Sequence, residues 1–311
     1  MICIVAMVVF GVLAVFSASF RPLAKESFDC VFRMVTFRKC KTNLDERIKG
    51  KITGRLMKHS PKTAGIVFKY FSVISIVFVI LFFGSLAYTG YSTYNFIQYG
   101  NCYGPESDSG LCPFTALSGP QTSKFQTPYK FTDVIVSPEV EEHDPRIGPE
   151  DAAVTIIEFG CFDCEFSAKA EPIIKKILDQ YKDRIRFVYK DFPLETHPIA
   201  KEKSIAAACA NEQGRFWEYH NLLYEKREET KTDSSLLQLA EQLDLDTEQF
   251  NECFEEQKYM ETINQDCDSG ARAGLEGTPT FFINDRKIVG PKPFKAFQKI
   301  IDEELATAGV K

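Results

Sequence analysis

Val154-Thr155-Ile156-Ile157-Glu158-Phe159 is followed, after one glycine, by Cys161-Phe162-Asp163-Cys164 and then by a segment running from Ala168 to Tyr181. The first six residues are short, β-branched and almost continuously apolar, as expected of a strand buried on both faces. Apolar residues at Ile173, Ile174, Ile177 and Tyr181 recur at helical spacing, and Ile185-Arg186-Phe187-Val188-Tyr189 reads as a second strand. Strand, helix and strand within about 35 residues make a βαβ unit with parallel pairing. The two cysteines sit where strand gives way to helix. That position carries chemistry, because a thiolate is the nucleophile and the unpaired N–H groups and dipole of a helix N-terminus stabilise an anion.

Toward the C-terminus, about 198 to 272 is a polar-faced helical stretch broken near Gly214, Thr232 and Asp246, which predicts a helical insertion. Thr280-Phe281-Phe282-Ile283, a turn at Asn284-Asp285 and Lys287-Ile288-Val289 read as a hairpin, and a helix from about Pro293 to Ala306 closes the chain. Toward the N-terminus, residues 100 to 150 hold seven of the 15 prolines and read as an extended tether. Within it, Cys102 and Cys112 bracket a loop rich in Gly, Pro and Ser that is flexible enough to close. A structural disulfide is the favoured reading, with a relay or free pair as the alternative.

The 311 residues allow about two domains, and the apolar residues are concentrated at the N-terminal end. Residues 1 to 20 carry no charge, and a second uncharged run extends from Tyr70 to Tyr99. About 20 helical residues cross a hydrocarbon core of about 30 Å, so spans are expected at 1–20 and 66–90. The loop between them, 21–63, carries 12 Lys and Arg against four acids, which makes it cytoplasmic by the positive-inside rule and able to touch anionic lipid. The tether, 91–144, and the domain, 145–311, then lie outside. A cleaved signal peptide ending near Ser17-Ala18-Ser19 is the alternative for the first segment. Beyond residue 63 acids outnumber bases by 14, which argues against nucleic acid as a partner. Ten cysteines in an extracytoplasmic setting favour disulfide chemistry. Cys30 and Cys40 fall in the basic loop, where thiols stay reduced. With four histidines, no set of residues has metal-site spacing, and no cofactor is expected.

A Cys-x-x-Cys in a βαβ unit is a thioredoxin-like redox signal, and from about Asp144 to Ala306 the sequence resembles the DsbA-like branch of the thioredoxin superfamily. The motifs that carry the resemblance are Ile156-Ile157-Glu158-Phe159, the cysteine motif, Lys190-Asp191-Phe192-Pro193-Leu194, Phe216-Trp217-Glu218 and Gly277-Thr278-Pro279-Thr280-Phe281-Phe282. The resemblance implies an α/β thioredoxin fold with a helical insertion, here preceded by two transmembrane helices. It implies a cis Pro279 beside the reactive sulfur, with Thr278 and Pro279 contacting substrate. It also implies a proton-shuttling role for Glu158 and a structural disulfide between Cys209 and Cys253.

One departure from the family pattern concerns the attacking sulfur. The family places an acid six positions before the nucleophile and a helix proline eight positions after it; Glu158 and Pro172 both lead to Cys164. Ser167 then stands where the second cysteine is usual; either Cys161 serves as resolving thiol from upstream, which the short spacing favours, or Cys164 acts alone with Ser167 and traps mixed disulfides. The other register, with Cys161 attacking and Cys164 resolving, requires an altered loop. Cys164 is expected to be the more acidic and more accessible thiol. Asp163 and Glu165 flank it with like charge, which opposes thiolate formation and predicts a weak oxidant. Nothing in the sequence marks His197. The function expected is a membrane-anchored thiol–disulfide oxidoreductase acting on exported proteins and recycled by a membrane redox partner. A non-catalytic binding module or tethered chaperone, favoured by Ser167, is the alternative.

Overall fold

The computed structural model describes residues 2–36, 38, 44–105, 112, 114, 123–124 and 136–310. They fall into two units, 1–91 and 92–311.

The N-terminal unit is helical. Helix α1, Ile2–Phe16, has 15 residues, a length of roughly 22 Å that falls short of a hydrocarbon core of about 30 Å. A short 3-10 turn, Ala18–Phe20, leads into α2, Arg21–Val35, which folds back on α1 through a small cluster of Ala6 and Cys30 with Phe10, Leu23 and Val31. Cys30, expected to be a reduced thiol, is held in a disulfide; Cys40 lies outside the described residues. After α3, Leu44–Met57, comes α4, Pro61–Tyr99, which is interrupted by non-helical geometry at Tyr70. Its stretch Ile76–Tyr99, with a mean hydropathy of 1.6, is the one described helix long and apolar enough to cross a membrane. Ile80, Leu81 and Leu86 stand exposed on it.

The second unit is built on a five-stranded sheet in the order β2-β4-β3-β6-β7, from β2, Arg146–Ile147, β3, Val154–Gly160, β4, Ile185–Asp191, β6, Thr280–Ile283, and β7, Arg286–Val289. Strands β3 and β4 pair in parallel, and the crossover between them is α5, Glu165–Tyr181. The remaining pairs are antiparallel. Buried residues alternate along β3: Val154 and Ile156 join Ile174, Ile177 and Phe297 on one face, while Ile157 and Phe159 face the helical insertion. Asn284 turns the last hairpin at φ 50°, a region open to Asn, and its side chain accepts from Thr155 N–H at 3.0 Å.

The insertion consists of α6, Ala200–Glu212, α7, Phe216–Glu225, α8, Asp233–Gln242, α9, Thr247–Glu255, and α10, Met260–Arg272; α11, Phe294–Thr307, closes the chain. A disulfide joins Cys209 on α6 to Cys253 on α9, 44 residues apart, and another joins Cys102 to Cys112. Closing so long a loop restricts the unfolded chain, so replacing Cys209 and Cys253 together by Ala is expected to cost about 2–4 kcal/mol of stability. The midpoint of denaturant unfolding reads this directly, and an unchanged midpoint would refute it.

Two features escape a hydrophobic-pattern reading. Strand β2 pairs with β4 although only two residues long, and a second two-stranded ladder sets β1, Ser123–Lys124, antiparallel to β5, Gly277–Thr278, with Ser123 opposite Thr278 and Lys124 opposite Gly277. The segment 136–147 is anchored to β4 by Lys190. Its fully buried ammonium bonds Asp144 at 2.8 Å and Asp266 on α10 at 2.9 Å. His143, Asp144 and Asp266 bring three ligand atoms within 4.8 Å of one another, but the Lys190 ammonium already bonds both carboxylates.

Candidate active site

Gly160 ends β3 because a Cβ there would come within 2.5 Å of the Tyr189 ring. The chain then turns through Cys161 to Cys164, closed by Cys164 N–H donating to Cys161 C=O at 2.9 Å. Such a turn keeps its end Cα atoms within about 7 Å, near the range a disulfide requires. Cys164 is the N-cap of α5, and its sulfur lies 3.6 Å from the carbonyl oxygen of Thr278. The Thr278–Pro279 peptide is cis. Ser167, in the first turn of α5, is buried, and its hydroxyl accepts from Cys161 N–H at 3.4 Å.

Cys161 and Cys164 are both completely buried. The greater exposure expected for Cys164 is therefore absent, because the loop after β4 covers one sulfur and the cis-proline segment covers the other. Burial pushes the Cys161 thiol up to about 12, against backbone hydrogen bonds from Leu194 and Asp163. His197, unmarked in the sequence, brings Nδ1 to 3.2 Å from the Cys161 sulfur.

The negative charge expected beside the cysteines is also offset. Asp163 accepts from Lys203 and Lys231, each at 2.8 Å, and Arg227 donates to its carbonyl at 3.1 Å. Burial raises the Asp163 carboxyl, but the two ammonium groups outweigh it and hold it below its ordinary value. Glu165 pairs with Lys169. The electrostatic ground for a weak oxidant is removed, for Asp163 by partners on distant elements and for Glu165 by a lysine one turn along its own helix.

Behind the cysteines, Glu158 is fully buried, with neither carboxylate oxygen hydrogen bonded. Burial, then the charges of Glu171 and Cys164, raise its carboxyl well above the usual range. Burial also pushes Glu171 up to about 7 and His220 down to about 3. His220 Nε2 lies 3.9 Å from Glu171, and its ring is edge-on to Phe162, Tyr189 and Trp217. An acid whose folded value is raised loses stability as pH climbs from its unfolded value through its folded one. Glu158→Gln is thus expected to make the protein more stable at pH 7 by at least about 1 kcal/mol, with no gain near pH 4. Thermal unfolding across that range is the measurement; equal shifts at both ends would refute the assignment.

The family model described as Thioredoxin matches residues 140–303, just over half of the chain. The chain belongs to the thioredoxin family. Among solved structures, its thioredoxin domain is similar to oxidised BdbD of Bacillus subtilis, at 22% identity and a TM-score of 0.51, covering 56% of this chain and all of that one. It is similar also to alpha-DsbA1 of Wolbachia pipientis, at 21% identity and a TM-score of 0.50, covering 54% and 94%. At these identities the likeness is one of fold, and it is to DsbA-like members of the family. Among curated proteins, the Na(+)/H(+) antiporter NhaA 3 of Salinispora tropica is 35% identical over 178 residues, 57% of this chain and 27% of that protein. The chain thus spans about a quarter of the length of the curated relatives it matches.

Proposed function

We propose that this chain is a membrane-anchored thiol–disulfide oxidoreductase whose thioredoxin domain works outside the cytoplasm on thiols and disulfides of exported proteins. Cys164 attacks, Cys161 resolves, and a membrane redox partner recycles the pair. The observation that carries the reading is the Cys164 sulfur, held at a helix N-terminus and 3.6 Å from the carbonyl that precedes cis-Pro279. That place at the start of the helix suits the attacking sulfur, while burial keeps the proton on Cys161. Thr278 and Pro279 form the wall against which a bound peptide would lie, and Glu158 supplies a buried carboxyl for proton exchange. Ser167 at the usual place of a second cysteine favours a binding module; Cys161, one turn away, supplies the thiol that Ser167 lacks.

Brief alkylation of the reduced protein near pH 6, followed by peptide mapping, tests the assignment. Modification is expected at Cys164, and preferential modification of Cys161 would reverse the two roles. For topology, the basic loop 21–63 supports a cytoplasmic placement with two flanking spans, while the disulfide at Cys30 speaks for an oxidising side. Labelling of Lys51 only after the cytoplasm is opened, with a tag after Lys311 labelled from outside, is the result expected. Access to Lys51 from outside would place the loop there instead.

A further inference from the structure

The loop after β4 is tied to the end of β3 and closed by bonds of its own. Phe192 N–H donates to Gly160 C=O at 2.8 Å, His197 N–H donates to Leu194 C=O at 2.9 Å, and Ala200 N–H donates to His197 C=O at 3.1 Å. These bonds hold the His197 backbone, and its ring brings Nδ1 to 3.2 Å from the Cys161 sulfur. Leu194 and Asp163 aim backbone hydrogen bonds at the same sulfur. A buried thiol thus has one titratable nitrogen in contact and two further donors around it, the surroundings required by a thiolate that exists only in passing.

Building on the reading of Cys164 as nucleophile and Cys161 as resolving thiol, we propose that His197 is the general base and general acid of Cys161. In the reducing direction, Cys161 attacks the Cys164 sulfur of a Cys164–substrate disulfide. The Cys161–Cys164 bond forms, the bond to substrate breaks, and the substrate sulfur leaves with the electron pair as a thiolate. The Cys161 proton passes to Nδ1 of His197 and on to the departing thiolate or to water. In the oxidising direction, the incoming substrate thiol gives its proton to Nδ1 of His197, directly or through water, its thiolate attacks Cys164, the Cys161–Cys164 bond opens, and the imidazolium so formed passes that proton to the Cys161 thiolate that leaves. With its proton on Nε2, the neutral ring offers Nδ1 as the acceptor that the first direction needs.

The groups facing His197 suit that task. Asp163 comes from the cysteine turn, Lys203 from α6, and Arg227 and Lys231 from the segment after α7. Burial, then the three cations against Asp163, hold the imidazole below its ordinary value, so the ring is neutral at pH 7 and already able to accept. Half-burial leaves a face open to solvent for proton release.

The test uses the full-length chain in detergent, reduced and mixed with the aromatic disulfide 5,5′-dithiobis(2-nitrobenzoate). Release of coloured thiolate in a first phase reports attack by Cys164, and release in a second phase reports resolution by Cys161. His197→Ala is expected to leave the first phase near the parental rate, which also shows that the fold is intact. The second phase should slow about 100-fold and become first order in hydroxide from pH 7 to 9, where the parent is flat, with partial rescue by added imidazole. Parental resolution with an unchanged pH profile in His197→Ala overturns this proposal alone. Absence of a Cys164 adduct in Cys161→Ser overturns the underlying reading as well, so the two failures are told apart.

Discussion

Replacing Cys164 by Ser is expected to lower thiol–disulfide exchange by at least about 1,000-fold, because a hydroxyl at the α5 N-cap cannot act as the nucleophile at neutral pH. Cys161→Ser should behave differently. Its Cys164 still attacks, but the adduct has no thiol to release it, since Ser167 occupies the helix position where a second sulfur would lie. Turnover is therefore expected to fall about 100-fold while mixed disulfides accumulate. The contrast appears on non-reducing gels as reductant-sensitive adducts in Cys161→Ser and none in Cys164→Ser. Adducts in Cys164→Ser, mapped to Cys161, would restore the other register.

Lys190→Ala is expected to be the most damaging single change to stability, at about 3–5 kcal/mol. It would leave the carboxylates of Asp144 and Asp266 buried beside each other without their shared cation. Burial opposes the charge on Lys190, but Asp266 and Asp144 more than offset it and hold the ammonium above its ordinary value. The sign of the pH dependence follows. Burial already raises the Asp144 carboxyl against the hydrogen bond from Lys190; without that bond Asp144 takes up a proton more readily in the folded state, so the deficit should shrink as pH falls toward 4. Thermal melting of parent and variant at pH 7 and pH 4 measures it, and a constant deficit would mean that lost packing, and not charge, is responsible.

Much of the domain was legible because it depends on local pattern. The runs at 154 and 185, the helical spacing after 168, the insertion and the final hairpin all appear where hydrophobic period and turn residues place them. The spacing of Glu158 and Pro172 about Cys164 agrees with the position of that residue at the helix N-cap. The site's partners were hidden because they come from far along the chain. His197 is 36 residues from Cys161, Lys203 is 40 from Asp163, and Asp266 is 76 from Lys190. No periodicity encodes such pairings, although a lysine in the apolar strand β4 was a signal that a buried counter-charge must exist. In the N-terminal segment, lack of charge sets an expected length of 20 residues, and the helix found there covers Ile2–Phe16, before Ser17.

The short ladder between Ser123–Lys124 and Gly277–Thr278 bears on how tightly any peptide can be held. A ligand that extends the chain at Thr278 by backbone pairing meets an edge already filled by the protein's own tether. The incumbent is covalently attached, so dilution does not remove it, and it competes at an effective concentration on the order of millimolar. The apparent affinity of a visitor is then its intrinsic affinity multiplied by the fraction of time the edge stands vacant. On the proposed function, a tight binder would reach the sulfur of Cys164 by displacing this strand, and weak, abundant peptides would be turned away before exchange began.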